Sequence, residues 1–388
     1  MEEWKEYKLG EVVIPVKDRI ETSCLDSTSY ISTENMLPEK AGITLSSGVP
    51  SGNAVLFKKD DVLISNIRPY FKKIWRANRD GGCSADVICL RASNVVDPLF
   101  LYYLLSQDLF FDYVMQGAKG TKMPRGDRNQ IMQWPVLIPS KNEQHNIASI
   151  LSTLDDKIEV NRRINDNLEQ QAQAFFKSWF VDFEPFKNGE FVESELGMIP
   201  KGWRVGKLFD VAEIFDKIRK PLSGRDRGNM DKIYPYYGAT SCMDYVDNYL
   251  FDGVYTLIGE DGSVVKEDGL PYMQYVWGKF WVNNHAHILQ GKNGFSTEMI
   301  HVFLSMTNIQ HLVTGAVQAK LSQVNMQKIT LPIPPKEVVD KVRQLIDIIY
   351  ENKRVLEDES RRLASLRDTL LPKLMSGELK VNEVENSL

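Results

Sequence analysis

The chain has 388 residues, 43% hydrophobic and 26% charged, an ordinary globular composition with room for two or three domains. Its formal charge of −5 excludes a protein that coats nucleic acid by net charge alone, although a basic groove can coexist with acidic outer surfaces. No apolar run approaches the roughly 20 residues that cross a bilayer, and the opening MEEWKEYKLG lacks the apolar core of a secretory signal, so a cytoplasmic protein with no membrane partner is expected.

The first 139 residues read as a strand-rich domain. They open on Trp4-x-x-x-Lys8-Leu9-x-Glu11-Val12 and close on Ile131-x-x-Trp134-x-Val136-x-Ile138-Pro139. Alternating apolar residues in DDVLISNI predict a strand. The segment after it interleaves amide, cation and aromatic side chains: Asn66, Arg68, Tyr70, Lys72, Lys73, Arg76 and Arg79. Asp97 and Pro98 predict a helix start, with Asp97 as cap and Pro98 in the first turn. Lys119, Lys122, Arg125 and Arg128 form a second basic cluster in a glycine-rich stretch. Cys24, Cys83, Cys89 and Cys242 have no CxxC spacing and read as reduced, mostly buried thiols.

A long helix is predicted over 140–184. Ser140 and Glu143 form a capping box after Pro139. Ile147, Leu151, Leu154 and Ile158 start an apolar seam that resumes at Leu168, Ala172, Phe175 and Trp179, with Asn161 and Asn165 between. A linker, 185–199, leads to a second domain, 200–334. Its candidate contact residues are Lys217, Arg219, Lys220, Arg225 and Arg227, then Tyr236, Tyr237, Gly238 and Thr240, then Asn283, Asn284, His285 and Lys320. A second long helix is predicted over 335–380. It starts at Pro335 and carries Ile349, Leu356, Leu363 and Leu370 at strict sevens. Pro372 is expected to kink or end it, and Gly377 suits a cap beyond. Each helix would be on the order of 50–60 Å long.

The two halves are a tandem duplication. The Trp-x-x-x-Lys-Leu pattern recurs at Trp203-x-x-x-Lys207-Leu208-x-Asp210-Val211, and the closing pattern at Met326-x-x-Ile329-x-Leu331-x-Ile333-Pro334. The frames persist while interiors such as SNIRPYFKKIWRANRDGG and YPYYGATSCMDYVDNY share almost nothing. The fold expected is α/β or α+β: two recognition domains joined by an antiparallel two-helix coiled coil with pseudo-twofold symmetry. Asn161 and Asn165 would fix its register at some cost in stability. Two diverged modules on one spacer suit a reader of two DNA half-sites. Arg and Lys can grip guanine edges or phosphates, and Asn can pair with adenine.

No catalytic centre or metal site is expected. Asp97-Pro98-Leu99-Phe100 lacks the second proline of an adenine-methyltransferase motif, and Gly117-x-x-Gly120-Thr121-Lys122 misses phosphate-loop spacing. His285 and His287 stand two apart without a matching ligand set, and Glu260 and Asp261 fall in a turn. A scaffold that binds proteins and a self-sufficient DNA methyltransferase are the competing readings.

Over nearly its whole length the chain resembles the specificity subunits of type I restriction-modification systems. The resemblance rests on Trp-x-x-x-Lys-Leu at each unit start, and on Ile-Pro plus helix after each variable region. PSKNEQHNIASILSTLDDKIEVN, LEQQAQAFFKSWFVDFEP, GMIPKGW and LLPKLMSGEL match as well, and IYPYYGAT and FWVNNHAHIL look like one class of target recognition domain. It implies two target recognition domains that each read half of a bipartite sequence on double-stranded DNA. It further implies central helices that set the gap and dock two adenine-methylating subunits, with motor-nuclease subunits completing a restriction enzyme. S-adenosylmethionine, ATP and magnesium are then expected on those partners and not on this chain.

Overall fold

The structure, a computed structural model, describes residues 4–315 and 318–385. The chain divides into two units, Met1–Val160 with Glu359–Leu388, and Asn161–Asp358. The division falls inside both long helices, Lys141–Phe180 and Lys336–Ser376, whereas the sequence pattern had suggested breaks at their starts.

The repeated motifs are explained by one device built twice. In the first unit the strand Lys5–Lys8 pairs antiparallel with Pro135–Ile138, Lys5 opposite Ile138. A single helical turn, Leu9–Val12, follows; Leu9 and Val12 are fully buried and the Glu11 carboxylate accepts the Lys8 N–H at 2.6 Å. The Leu9 N–H donates to Trp134 O at 2.8 Å. In the second unit Arg204–Lys207 pairs with Thr330–Ile333, Arg204 opposite Ile333. There Leu208 and Val211 are buried, Asp210 accepts the Lys207 N–H at 2.8 Å, and the Leu208 N–H donates to Ile329 O at 2.9 Å. Every position of Lys-Leu-x-acid-Val therefore caps, pairs or packs.

Between these ladders the units differ. The first holds two four-stranded sheets. One is ordered Val13–Pro15, Val87–Ala92, Val62–Ser65, Ile74–Arg76, and the other Arg19–Glu21, Asn53–Phe57, Gly81–Cys83, Tyr30–Ile31. The second holds one six-stranded sheet, ordered Ala212–Ile214, Ala286–Gly291, Phe251–Gly259, Met273–Val282, Tyr234–Tyr237, Cys242–Val246. Each sheet system packs on a short, largely buried helix at the same place, Pro98–Leu105 or Thr297–Ser305. Asp97 caps the first as expected, its Oδ1 accepting from the Leu99 and Phe100 N–H groups. Among the described residues no cysteine is in a disulfide; Cys83 and Cys89 are buried, while Cys24 and Cys242 are exposed, against the expectation of mostly buried thiols.

The long helices also contribute to these cores. In the first unit Ile147, Leu151 and Leu154 share a core with Leu370, Leu371, Leu374 and Met375, while Ile158 and Leu363 are half-buried. Asp155 joins Tyr103 Oη at 2.7 Å and the Arg367 guanidinium at 2.6 Å. In the second unit Ala172, Phe176 and Phe180 pack with Val342, Ile346 and Tyr350. Leu168, Phe175, Ile349 and Leu356 are only half-buried, so the central helix's seam rotates from the expected Phe175 to Phe176. A straight helix drifts about 20° per heptad against a seven-residue repeat, which accounts for the rotation. Asn161 and Asn165 donate to Leu356 O at 3.4 Å and Lys353 O at 3.3 Å, using the second lone pair of helical carbonyls. The helices run antiparallel in both units.

Pro372 does not end its helix, which continues to Ser376 before Gly377 at φ +73°. Burying Leu370, Leu371, Leu374 and Met375 is worth roughly 1.5–3 kcal/mol each and outweighs the ~3 kcal/mol that an internal proline costs.

His301, beneath the second sheet, is buried with its Nδ1 at 2.7 Å from Thr256 Oγ1. Burial, with Lys353 adding to it against the opposing charge of Glu169, pushes it down to about 4 from 6.5. A neutral buried imidazole stabilises fully above pH 6.5, and that stability is lost as pH falls from 6.5 towards 4. The loss is on the order of 3 kcal/mol. Unfolding free energy measured by urea titration from pH 7.5 to 4 should therefore have a shallower acid limb in His301→Gln. Parallel limbs would remove His301 from the acid response.

Candidate nucleic-acid interface

In the first unit the buried strand Val62–Ser65 ends just before Asn66, and five backbone bonds fix what lies around that end. The Asn66 N–H donates to Asp86 O, and Asn66 O accepts from the Gly126 N–H. The Arg68 N–H donates to Pro124 O at 2.8 Å. Lys119 and Arg125 exchange two backbone bonds of 2.9 Å, closing a hairpin that turns at Gly120 with φ +97°, a conformation glycine adopts without strain.

This junction joins two clusters that are far apart in sequence, Asn66 and Arg68 with Lys119, Lys122, Arg125 and Arg128. Lys119, Lys122, Arg125 and Arg128 are exposed. Lys119 pairs with Asp127 at 2.8 Å, Arg125 with Asp86 at 3.2 Å, and Arg128 donates to Ala85 O at 2.6 Å. Asn66 is buried and Arg68 half-buried. Tyr70 is exposed against Phe71, but Lys72 is drawn to Asp108 at 3.1 Å and Lys73 donates to Thr33 O at 2.7 Å. Burial first, and the Arg68 charge second, push the Lys73 amine below its ordinary value. Arg76 and Arg79 turn to Asp60 and to Thr28 O.

The second unit builds the same junction. The Glu260 N–H donates to His285 O, Glu260 O accepts from Leu321, and the Gly262 N–H donates to Ala319 O. Thr314 and Lys320 exchange bonds of 2.9 and 2.7 Å beside Gly315, whose φ is +96°. Lys320 and His285 are exposed here, with His285 Nδ1 hydrogen-bonded to Asp261. Asn284, Lys220, Arg225 and Thr240 are exposed as well.

Other candidates turn inward. The Arg219 side chain is 12% exposed and reaches Asp216 at 3.3 Å, Glu260 at 2.5 Å and Ala286 O at 2.7 Å. Tyr236 is buried, with its hydroxyl oxygen accepting from the Leu222 N–H and Arg227 over its ring. Asn283 is buried and holds the His285 N–H at 2.7 Å. Tyr237 packs on Phe280, and Gly238 O accepts from Gln274. The structure gathers Asp216, Glu260 and His287 with ligand atoms within 4.8 Å of one another, a grouping the sequence did not suggest. Arg219 bridges two of them, Asp216 and Glu260. His287 is already engaged on both ring nitrogens, by Asp216 at 2.5 Å and Leu321 O at 2.7 Å. Burial alone would raise the Asp216 carboxyl, but His287, Arg219 and Gln323 together hold it below its ordinary value.

Residues 1–170 and 200–356 match the family model for the type I restriction modification DNA specificity domain. The chain belongs to this family. The two matched segments begin at or just before the two short ladders. The specificity subunit of a type I restriction enzyme from Methanocaldococcus jannaschii is 28% identical over 307 residues, 74% of this chain and 70% of that one. The specificity subunit of the HindI type I restriction enzyme from Haemophilus influenzae is 24% identical, with 98% of this chain and all of the relative aligned. Among solved structures, the S subunit of a type I restriction-modification system from M. genitalium has the same fold. Its TM-score is 0.57 at 17% identity, covering 96% of both chains. Like its family, the chain is a specificity subunit of mixed helix and sheet. Among the described residues no helix is long and apolar enough to cross a membrane.

Within the specificity subunit, Arg219 should behave as a structural cation. Arg219→Met leaves Asp216 and Glu260 facing each other with their shared cation removed and should lower stability by about 3–5 kcal/mol. Arg225→Ala, at an exposed position, should stay within about 0.5 kcal/mol. Equal denaturant midpoints for the two variants would contradict this assignment.

Proposed function

We propose that this specificity subunit is a non-catalytic reader of double-stranded DNA whose domains, 1–139 and 200–334, each recognise one half of a split target. The helices 140–184 and 335–380 set the gap between the half-sites and dock two adenine-methylating subunits. Motor-nuclease subunits join these in the full restriction enzyme, and the chemistry that needs S-adenosylmethionine, ATP and magnesium belongs to the partners. The complex works in the cytoplasm.

The observation that carries this reading is the contrast between frame and interior. Identical ladders, cap and hairpin bonds enclose two four-stranded sheets in one unit and a single six-stranded sheet in the other. A protein under selection to present one surface twice has no use for two different sheet systems. A reader of two unrelated half-sites requires them. The gathering of Lys119, Lys122, Arg125 and Arg128 at one exposed junction favours DNA over a protein-binding scaffold.

Readout would divide in the usual way, with cations on phosphates fixing orientation and the divergent loops reading base edges. Exchanging residues 1–139 for those of a relative should change only one half of the recognised sequence, as read by sequencing the DNA fragments that the assembled complex retains. Simultaneous change of both halves would contradict independent readers.

A further inference from the structure

We propose that Arg125 and Lys320 are matched phosphate clamps, one in each recognition domain, which hold the duplex backbone at the same point of each domain whatever bases are read. The proposal deepens the DNA-reading function given above and rests on it.

The two residues occupy one structural position. Each exchanges two backbone bonds with the residue six places earlier, Lys119 or Thr314, across a glycine of φ near +97°. Each also lies in an isolated bridge to the turn that follows the central buried strand, Ile67 with Arg125 and Asp261 with Lys320. Backbone bonds from Arg68 to Pro124 and from Gly262 to Ala319 continue the match one residue before each cation. Around them the side chains have diverged. The positions that answer to Lys119 and Arg128 are Thr314 and Gln323, and opposite Asn66 stands Glu260. A cation at the Arg125 position is what both domains keep.

A base reader in two domains of different specificity has no reason to be kept in kind, whereas a phosphate contact has, because every sequence presents the same phosphate. Exposure agrees. The two side chains are 56% and 53% accessible, and each is steadied by one carboxylate, Asp86 at 3.2 Å and Glu260 at 3.5 Å. The Arg125–Asp86 pair is exposed on both sides and is worth at most about 1 kcal/mol, so a phosphate can replace that carboxylate easily. Glu260 is in any case held more tightly by Arg219, at 2.5 Å, which leaves the Lys320 charge largely free for an anion.

The test uses the chain assembled with its methylating partner and duplexes with and without the split target, with Kd followed from about 50 to 200 mM salt. Arg125→Ala and Lys320→Ala should each weaken target and scrambled duplex by the same factor. Each should reduce the slope of log K against log salt by about 0.9, and the double variant by about 1.8. Arg125→Lys should restore the slope. Unchanged slopes would overturn the proposal, and so would loss of target preference with scrambled binding intact, which marks a base contact. If the unmutated complex bound both duplexes equally, the two-reader account would fail while the slope readout still decided the clamp.

Discussion

Each recognition domain is closed by a four-residue antiparallel ladder and one backbone bond beyond it, Leu9 to Trp134 or Leu208 to Ile329. The chain enters and leaves the domain side by side, and the leaving strand runs directly into a forty-residue helix. This closure constrains the ends of the domain and little between them. Insertions and rearranged sheets are tolerated as long as the two strands meet, since lengthening a closed loop costs only about 0.6 kcal/mol per doubling. The different sheet systems of the two units follow from that freedom, and so does a target that can diverge half by half.

The helices depend on the same closure. A helix of this length cannot bury a continuous apolar stripe in one small core. Here the first part of the central helix joins the first core and its last part joins the second, while the C-terminal helix does so in the opposite order. Polar contacts then differ between the two ends. Asp155 binds Arg367 and Tyr103 in one unit; Glu298 binds Arg354 and Tyr275 in the other, alongside Lys353 on Glu169. Charges that fit only one pairing select the register, as the buried Asn161 also does.

The frame was legible in the sequence because each of its residues has a local or periodic job. Leu9, Val12 and Ile138 are buried at regular spacing, Glu11 caps a turn, and Asp97 starts a helix. The contact surface was less legible, because composition cannot tell an exposed arginine from one that bridges buried carboxylates. Arg219, Tyr236 and Asn283 looked like surface chemistry and serve the interior, which only tertiary contacts decide. The shared hairpin left a signal that went unused. Gly120 and Gly315 stand at the same offset as the two Ile-Pro pairs, and so do Arg125 and Lys320. Pro372 misled for an energetic reason, since four buried neighbours outweigh its local cost.

The central claim is that one frame carries two independent readers serving a methylating complex. The most direct test is a genome-wide map of methylated adenine in the host, with and without this gene. The account predicts loss of a single split motif, two short half-sites around an unspecified gap, and its return when the gene is restored. An unaltered map in a host whose methylating partner is active, or loss of an unbroken motif, would contradict it.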